Sequence, residues 1–129
     1  MNKIKICSTN TKGLGDPAKR RDVLDYLRNQ NYSIICLQEV FDESSWEILN
    51  DTLRPLYPYI LYDPFKMFLR WNHFCVINSG LYIASKYPII RSEFFTFSDA
   101  YFEDAACSRG LLIAEIDIQN NKSIIVGKC

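Results

Sequence analysis

Very little in this 129-residue chain is lopsided, and several protein classes fall away for that reason. Fifteen Lys and Arg are matched by fifteen Asp and Glu. The chain therefore lacks the basic excess that a nucleic-acid-binding domain usually carries. No stretch approaches the roughly 20 apolar residues that cross a bilayer. Residues 1–6 carry charges where a secretory signal peptide needs an apolar run, so the expected location is intracellular, on the cytoplasmic side. The five cysteines (Cys7, Cys36, Cys75, Cys107 and Cys129) include no CxxC pair and are odd in number. Free thiols in a reducing compartment fit that pattern better than a zinc cluster. Internal repeats, low-complexity tracts and linkers are also missing.

What is there is globular. Apolar residues make up 48% of the chain, with eight Phe and eight Tyr spread along it. That is enough for one domain with a core.

Residues 3–7 alternate polar and apolar side chains and read as a strand, running into a loop marked by Gly13 and Gly15. Asp16-Pro17 then opens a helix, a capping carboxylate followed by proline at the first helical position. Val23, Leu24 and Leu27 give this helix its apolar face. Residues 33–37 are a continuous apolar run, the mark of a strand covered on both faces. Ser44-Ser45-Trp46-Glu47 has capping-box spacing ahead of a helix that Pro55 stops. Residues 59–62, 80–84, 89–97, 111–116 and 123–126 read as strands. The order predicts an α+β or mixed α/β fold, one mixed sheet with two helices packed on it.

Polar residues stand where the first two strands end. Asn10 follows the first, and Gln38-Glu39 follow the second. Ligands of α/β sheets bind beyond strand ends. A carboxylate there needs compensation, which a hard cation such as Mg²⁺ supplies through oxygen ligands. Pairing of Glu39 with a lysine, or a turn-capping role, satisfies the same pattern.

The blocks Asn10-x-x-Gly13-Leu14 and Ile35-Cys36-Leu37-Gln38-Glu39-Val40-Phe41-Asp42 resemble the opening of the endonuclease/exonuclease/phosphatase superfamily. Further on, Tyr59-Ile60-Leu61-Tyr62-Asp63, Asn78-Ser79-Gly80-Leu81, Ala84-Ser85-Lys86-Tyr87-Pro88-Ile89 and Asp104-Ala105-Ala106-Cys107-Ser108-Arg109-Gly110 follow in order. These resemble the neutral sphingomyelinases of that superfamily, block by block. The stretch through Gly13 is equally like a retroelement endonuclease. The resemblance implies the amino-terminal half of a four-layer α/β sandwich of the DNase I type. It also implies a Mg²⁺ cofactor bound by Glu39, with Asn10 orienting the metal or the scissile phosphate and Gln38 lying behind them. The substrate implied is sphingomyelin at a membrane surface, cleaved to ceramide and phosphocholine.

Two departures stand out. Arg109 occupies a position that is normally lysine in the family, five residues after Asp104. The pair is expected at the active site, where a planar guanidinium is not equivalent to an ammonium. Residues 64–77 are unlike their family counterpart and combine Phe65, Phe68 and Trp71 with Lys66 and Arg70. That mixture suits the headgroup interface of a bilayer, and equally a loop folded onto the core. His73, the only histidine, matches no catalytic position of the family and reads as a loop residue.

The resemblance also implies what is absent. Residues 123–129 look like the strand that leads, in the family, into a Thr-His-Leu segment. Neither that histidine, nor the later Asp-x-Asn segment, nor the terminal Asp-His pair is in the chain. The expectation is a partial domain over residues 1–129, inactive alone, its sheet uncovered on an apolar inner face until a carboxy-terminal half arrives. Alternatives are a nuclease of the same superfamily, or a non-catalytic protein that binds membrane or a partner.

Overall fold

The computed structural model describes residues 3–40, 43–62, 68–70, 73–75, 80–96 and 110–128. Strand β1 (Ile6–Asn10), helix α1 (Pro17–Asn29), strand β2 (Ile34–Gln38) and helix α2 (Glu43–Leu53) come first. Strands β3 (Tyr59–Tyr62), β4 (Phe68–Arg70), β5 (His73–Cys75), β6 (Tyr82–Ser85), β7 (Ile89–Thr96), β8 (Gly110–Gln119) and β9 (Lys122–Lys128) follow.

β1, β2, β6 and β3 form one mixed sheet in that order, and β7, β8 and β9 form an antiparallel one. β1 runs parallel to β2 in a register that pairs Ile6 with Ile34 and Asn10 with Gln38. The first strand thus begins three residues later than its own alternation predicts, and it runs on to Asn10, which becomes its last residue. The partner decides. Before the strand, Lys5 is tied at both backbone groups, its N–H donating to Ser33 Oγ at 3.1 Å and its carbonyl accepting from Ser33 N at 2.7 Å.

The apolar run of β2 is explained by its two faces. Ile35 and Leu37 pack under the helices, in a core with Leu24, Leu27, Trp46, Leu49 and Leu53. Ile34 and Cys36 face the other way, where Leu81, Ile83, Leu112, Ala114 and Ile116 meet them. The second core lies between the two sheets. The inner face expected to stand bare is therefore covered, because β7, β8 and β9 form a sheet of their own in place of extending the first. A helix layer, the mixed sheet and the antiparallel sheet make a partial α/β sandwich. Exposed apolar side chains remain on the far side of the second sheet, where Ile125 is 74% and Phe95 48% exposed.

Asp16 caps α1 as its sequence predicts, accepting from Ala18 N at 3.2 Å, with Pro17 in the first turn. The capping-box spacing from Ser44 to Glu47 does not mark the start of α2, since the helix already includes Glu43 and Ser44. Ser45, fully buried, donates to the Leu14 carbonyl at 3.2 Å and anchors α2 to the loop after β1. β4 and β5 pair as a small antiparallel hairpin with His73 opposite Arg70, so His73 is a strand residue, not a loop residue. β8 and β9 are joined by Asn120 and Asn121, whose φ values of 57° and 59° are the left-handed pair of a type I′ hairpin.

On the outer face of the second sheet, Arg91 Nε donates to Glu115 Oε2 at 2.7 Å, and Ser123 Oγ donates to Glu115 Oε1 at 3.0 Å. These hydrogen bonds, the Arg91 one foremost, hold the Glu115 carboxyl below its ordinary value. A depressed folded-state pKa stabilises the fold above the unfolded value, and that contribution is lost as pH falls through the folded one. Arg91→Ala is accordingly expected to move the Glu115 titration, followed by NMR of its side-chain carboxyl, upward toward the ordinary range. An unmoved titration would show that the guanidinium is not the cause.

Candidate functional site

β1 and β2 are parallel, so their carboxyl ends meet at one edge of the sheet, and the register places Asn10 beside Gln38 with Glu39 next in the chain. Asn10 is exposed and Glu39 half-buried. Asn10 Oδ1 accepts from the Lys12 backbone N–H at 2.7 Å, an Asx turn that fixes the side chain by its carbonyl oxygen. The end of that amide suited to an anion is therefore its NH₂ group.

Glu39 has a φ of 62°, in the left-handed region that residues other than glycine seldom adopt. Its neighbours hold that conformation. The Gln38 carbonyl accepts from Thr11 N at 3.1 Å and from Thr11 Oγ1 at 2.8 Å, and Thr11 Oγ1 is also 3.3 Å from the Glu39 carbonyl. On the far side, Val40 N donates to the Gly80 carbonyl at 2.9 Å, and the Trp46 indole N–H donates to the Val40 carbonyl at 2.8 Å. Beneath lie Trp46 and Tyr62, with ring centroids 5.3 Å apart, and then Tyr82 at 6.0 Å from Tyr62. Burial pushes the Tyr82 hydroxyl well above its ordinary pKa. It stays protonated and donates to Asn50 Oδ1 at 2.8 Å.

Of the site residues expected from sequence, the fold brings Asn10, Gln38 and Glu39 together. Asp104, Arg109, Phe65 and Trp71 lie outside the described residues, as does the side chain of Phe68. Thr11 was not singled out by sequence. The signal available was a hydroxyl residue directly after the asparagine at a strand end, a position open to many bland readings.

The donors in hand are a carboxylate and amide oxygens, which suit a hard cation such as Mg²⁺ in kind. No group of three His, Cys, Asp or Glu side chains converges among the described residues, so Glu39 would be a partial ligand set, completed by water and by groups outside them. Among the described residues, no helix is long and apolar enough to cross a membrane.

Residues 6–127 match the model of the Endonuclease/Exonuclease/phosphatase family. Sphingomyelin phosphodiesterase 5 of Danio rerio is 38% identical over 100 residues, which are 73% of this chain and 18% of that protein. Sphingomyelinase C 2 of Leptospira interrogans is 29% identical over 123 residues, covering 89% of this chain and 19% of that one. Among solved structures, sphingomyelinase C from Streptomyces griseocarneus superposes with a TM-score of 0.77 at 21% identity, over 98% of this chain and 48% of the other. A beta toxin mutant from Staphylococcus aureus with bound magnesium ions gives a TM-score of 0.74 at 19% identity, over 95% of this chain and 47% of that one. At such identities the two structures establish the fold, a DNase I-like sandwich. The chain spans under a fifth of these curated relatives and about half of the solved ones.

Proposed function

The chain belongs to the endonuclease/exonuclease/phosphatase family, and from that premise we propose that it is the amino-terminal part of a Mg²⁺-dependent phosphodiesterase domain that cleaves sphingomyelin to ceramide and phosphocholine. The observation that carries the reading is the parallel register of β1 and β2, which sets Asn10 beside Gln38, the residue before Glu39, where the two strands end together. Relatives that are named for sphingomyelin cleavage support the substrate class.

In this reading Glu39 holds the magnesium ion through its carboxylate. The ion, when bound, polarises a phosphoryl oxygen and stabilises the charge that develops as the phosphodiester is attacked. Asn10, its carbonyl end tied to Lys12, turns its NH₂ toward a phosphate oxygen and orients the diester. Asp104 and Arg109 act at the same site, the guanidinium meeting the aspartate or the phosphate. Gln38 supports Glu39 from behind. The water-activating histidine and the remaining carboxylates belong to a carboxy-terminal half, as the span of this chain against its solved relatives suggests. Contact with the lipid surface is assigned to Phe65, Phe68 and Trp71, on the cytoplasmic side of the membrane.

The nuclease reading gains nothing here, since equal numbers of cationic and anionic residues give no excess to draw a polyanion. The experiment is a comparison of two proteins on sphingomyelin vesicles with Mg²⁺. The 129-residue chain alone is expected to release no phosphocholine, and the same chain joined to a sphingomyelinase carboxy-terminal half is expected to release it. A folded joined protein that cleaves plasmid DNA and leaves sphingomyelin intact would end the proposal.

A further inference from the structure

The two peptide planes that flank the Glu39 Cα are each held by something other than the β-ladder. The first contains the Gln38 carbonyl, which takes both the backbone N–H and the hydroxyl of Thr11. The second contains the Glu39 carbonyl, near that same hydroxyl, and the Val40 N–H, which is bonded to Gly80. The orientation of the first plane sets φ of residue 39, and the second sets ψ. Together they fix the direction in which the side chain leaves the backbone. A left-handed conformation costs a non-glycine residue about 1 kcal/mol, and it persists only where its surroundings over-determine it. Thr11 is 5% exposed, so the hydroxyl works out of reach of competing water.

We propose that Thr11 is a positioning residue: its hydroxyl latches the end of β2 to the end of β1 and so holds the Glu39 carboxylate at the angle a hard cation requires. This rests on Glu39 being a magnesium ligand and adds the device that aims it. A hydroxyl has one hydrogen, and the shorter contact, to the Gln38 carbonyl at 2.8 Å, takes it. The longer approach to Glu39 leaves the oxygen placed so that a flip of either peptide would break a bond or bury an unmatched carbonyl.

The test uses the full 129-residue chain, isotope-labelled, with Mn²⁺ as an oxygen-seeking paramagnetic probe. Wild type is expected to lose the Asn10 and Glu39 amide signals first as Mn²⁺ is added. Thr11→Val, which keeps the shape and removes the hydroxyl, is expected to need about tenfold more Mn²⁺ for the same broadening, the scale typical of ligand-supporting hydrogen bonds. Its Glu39 backbone coupling should also leave the left-handed range. Thr11→Ser, which keeps the hydroxyl, should stay within about twofold of wild type.

A Thr11→Val protein that binds Mn²⁺ like wild type, while Glu39→Gln does not, overturns the latch alone. A folded Thr11→Ser protein as weak as the expected valine variant overturns it too, and serves if Thr11→Val fails to fold. Glu39→Gln without effect on the titration overturns the magnesium reading, and the latch with it.

Discussion

Glu39→Gln in the joined, two-half domain is expected to lower kcat/KM for sphingomyelin by about a hundredfold to a thousandfold, with little change in stability. The substitution keeps the length of the side chain and one oxygen, and removes the charge that competes with water for Mg²⁺. A metal acting as Lewis acid is worth several kcal/mol of transition-state stabilisation, and about 1.4 kcal/mol is a factor of ten in rate. Because Glu39 is half-buried at a strand end and outside both cores, thermal unfolding should barely move. Raising Mg²⁺ should recover part of the loss, since the defect is one of affinity. Equal rates for variant and wild type at limiting Mg²⁺ would rule out a role for Glu39 in holding the ion.

The largest effect on folding is expected from Trp46→Ala, a loss of about 3–5 kcal/mol, the range for deleting a buried aromatic side chain. Small domains have only about 5–15 kcal/mol in total, so this variant should be largely unfolded near body temperature. Trp46 is 4% exposed, lies against Tyr62, and donates its indole N–H to the Val40 carbonyl. Trp46→Phe separates the two contributions. It keeps a ring in the core and leaves the Val40 carbonyl without its indole donor, which costs about 1–3 kcal/mol. Urea unfolding followed by far-ultraviolet circular dichroism measures both. A loss below about 1 kcal/mol for the alanine variant would mean that the site collapses around the gap, and that Trp46 does not anchor the loop carrying Glu39.

The legibility of this chain varied by element. β2 was readable because a strand covered on both sides must be apolar at every position, and 34–37 are. α1 was readable because Asp16 and Pro17 act locally, through bonds and torsions within one turn. The start of α2 was not, since the spacing from Ser44 to Glu47 marks it too late, and the bond that ties Ser45 to the loop after β1 joins residues 31 positions apart. The two-sheet arrangement was also missed. Alternation in 89–96 and 110–119 says that a strand has a buried face, without saying against what, and here Leu112, Ala114 and Ile116 are buried against β2 and β6.

The sequence by itself determined the family, the apolar strand that Glu39 terminates, and the residue types gathered at the candidate site, because side-chain chemistry and short-range spacing are written in it directly. Tertiary structure alone decided the register that sets Asn10 against Gln38, the left-handed turn at Glu39 and the part played by Thr11. Those depend on hydrogen bonds between residues 27 and 28 positions apart, and such bonds have no trace in local pattern until the strands meet.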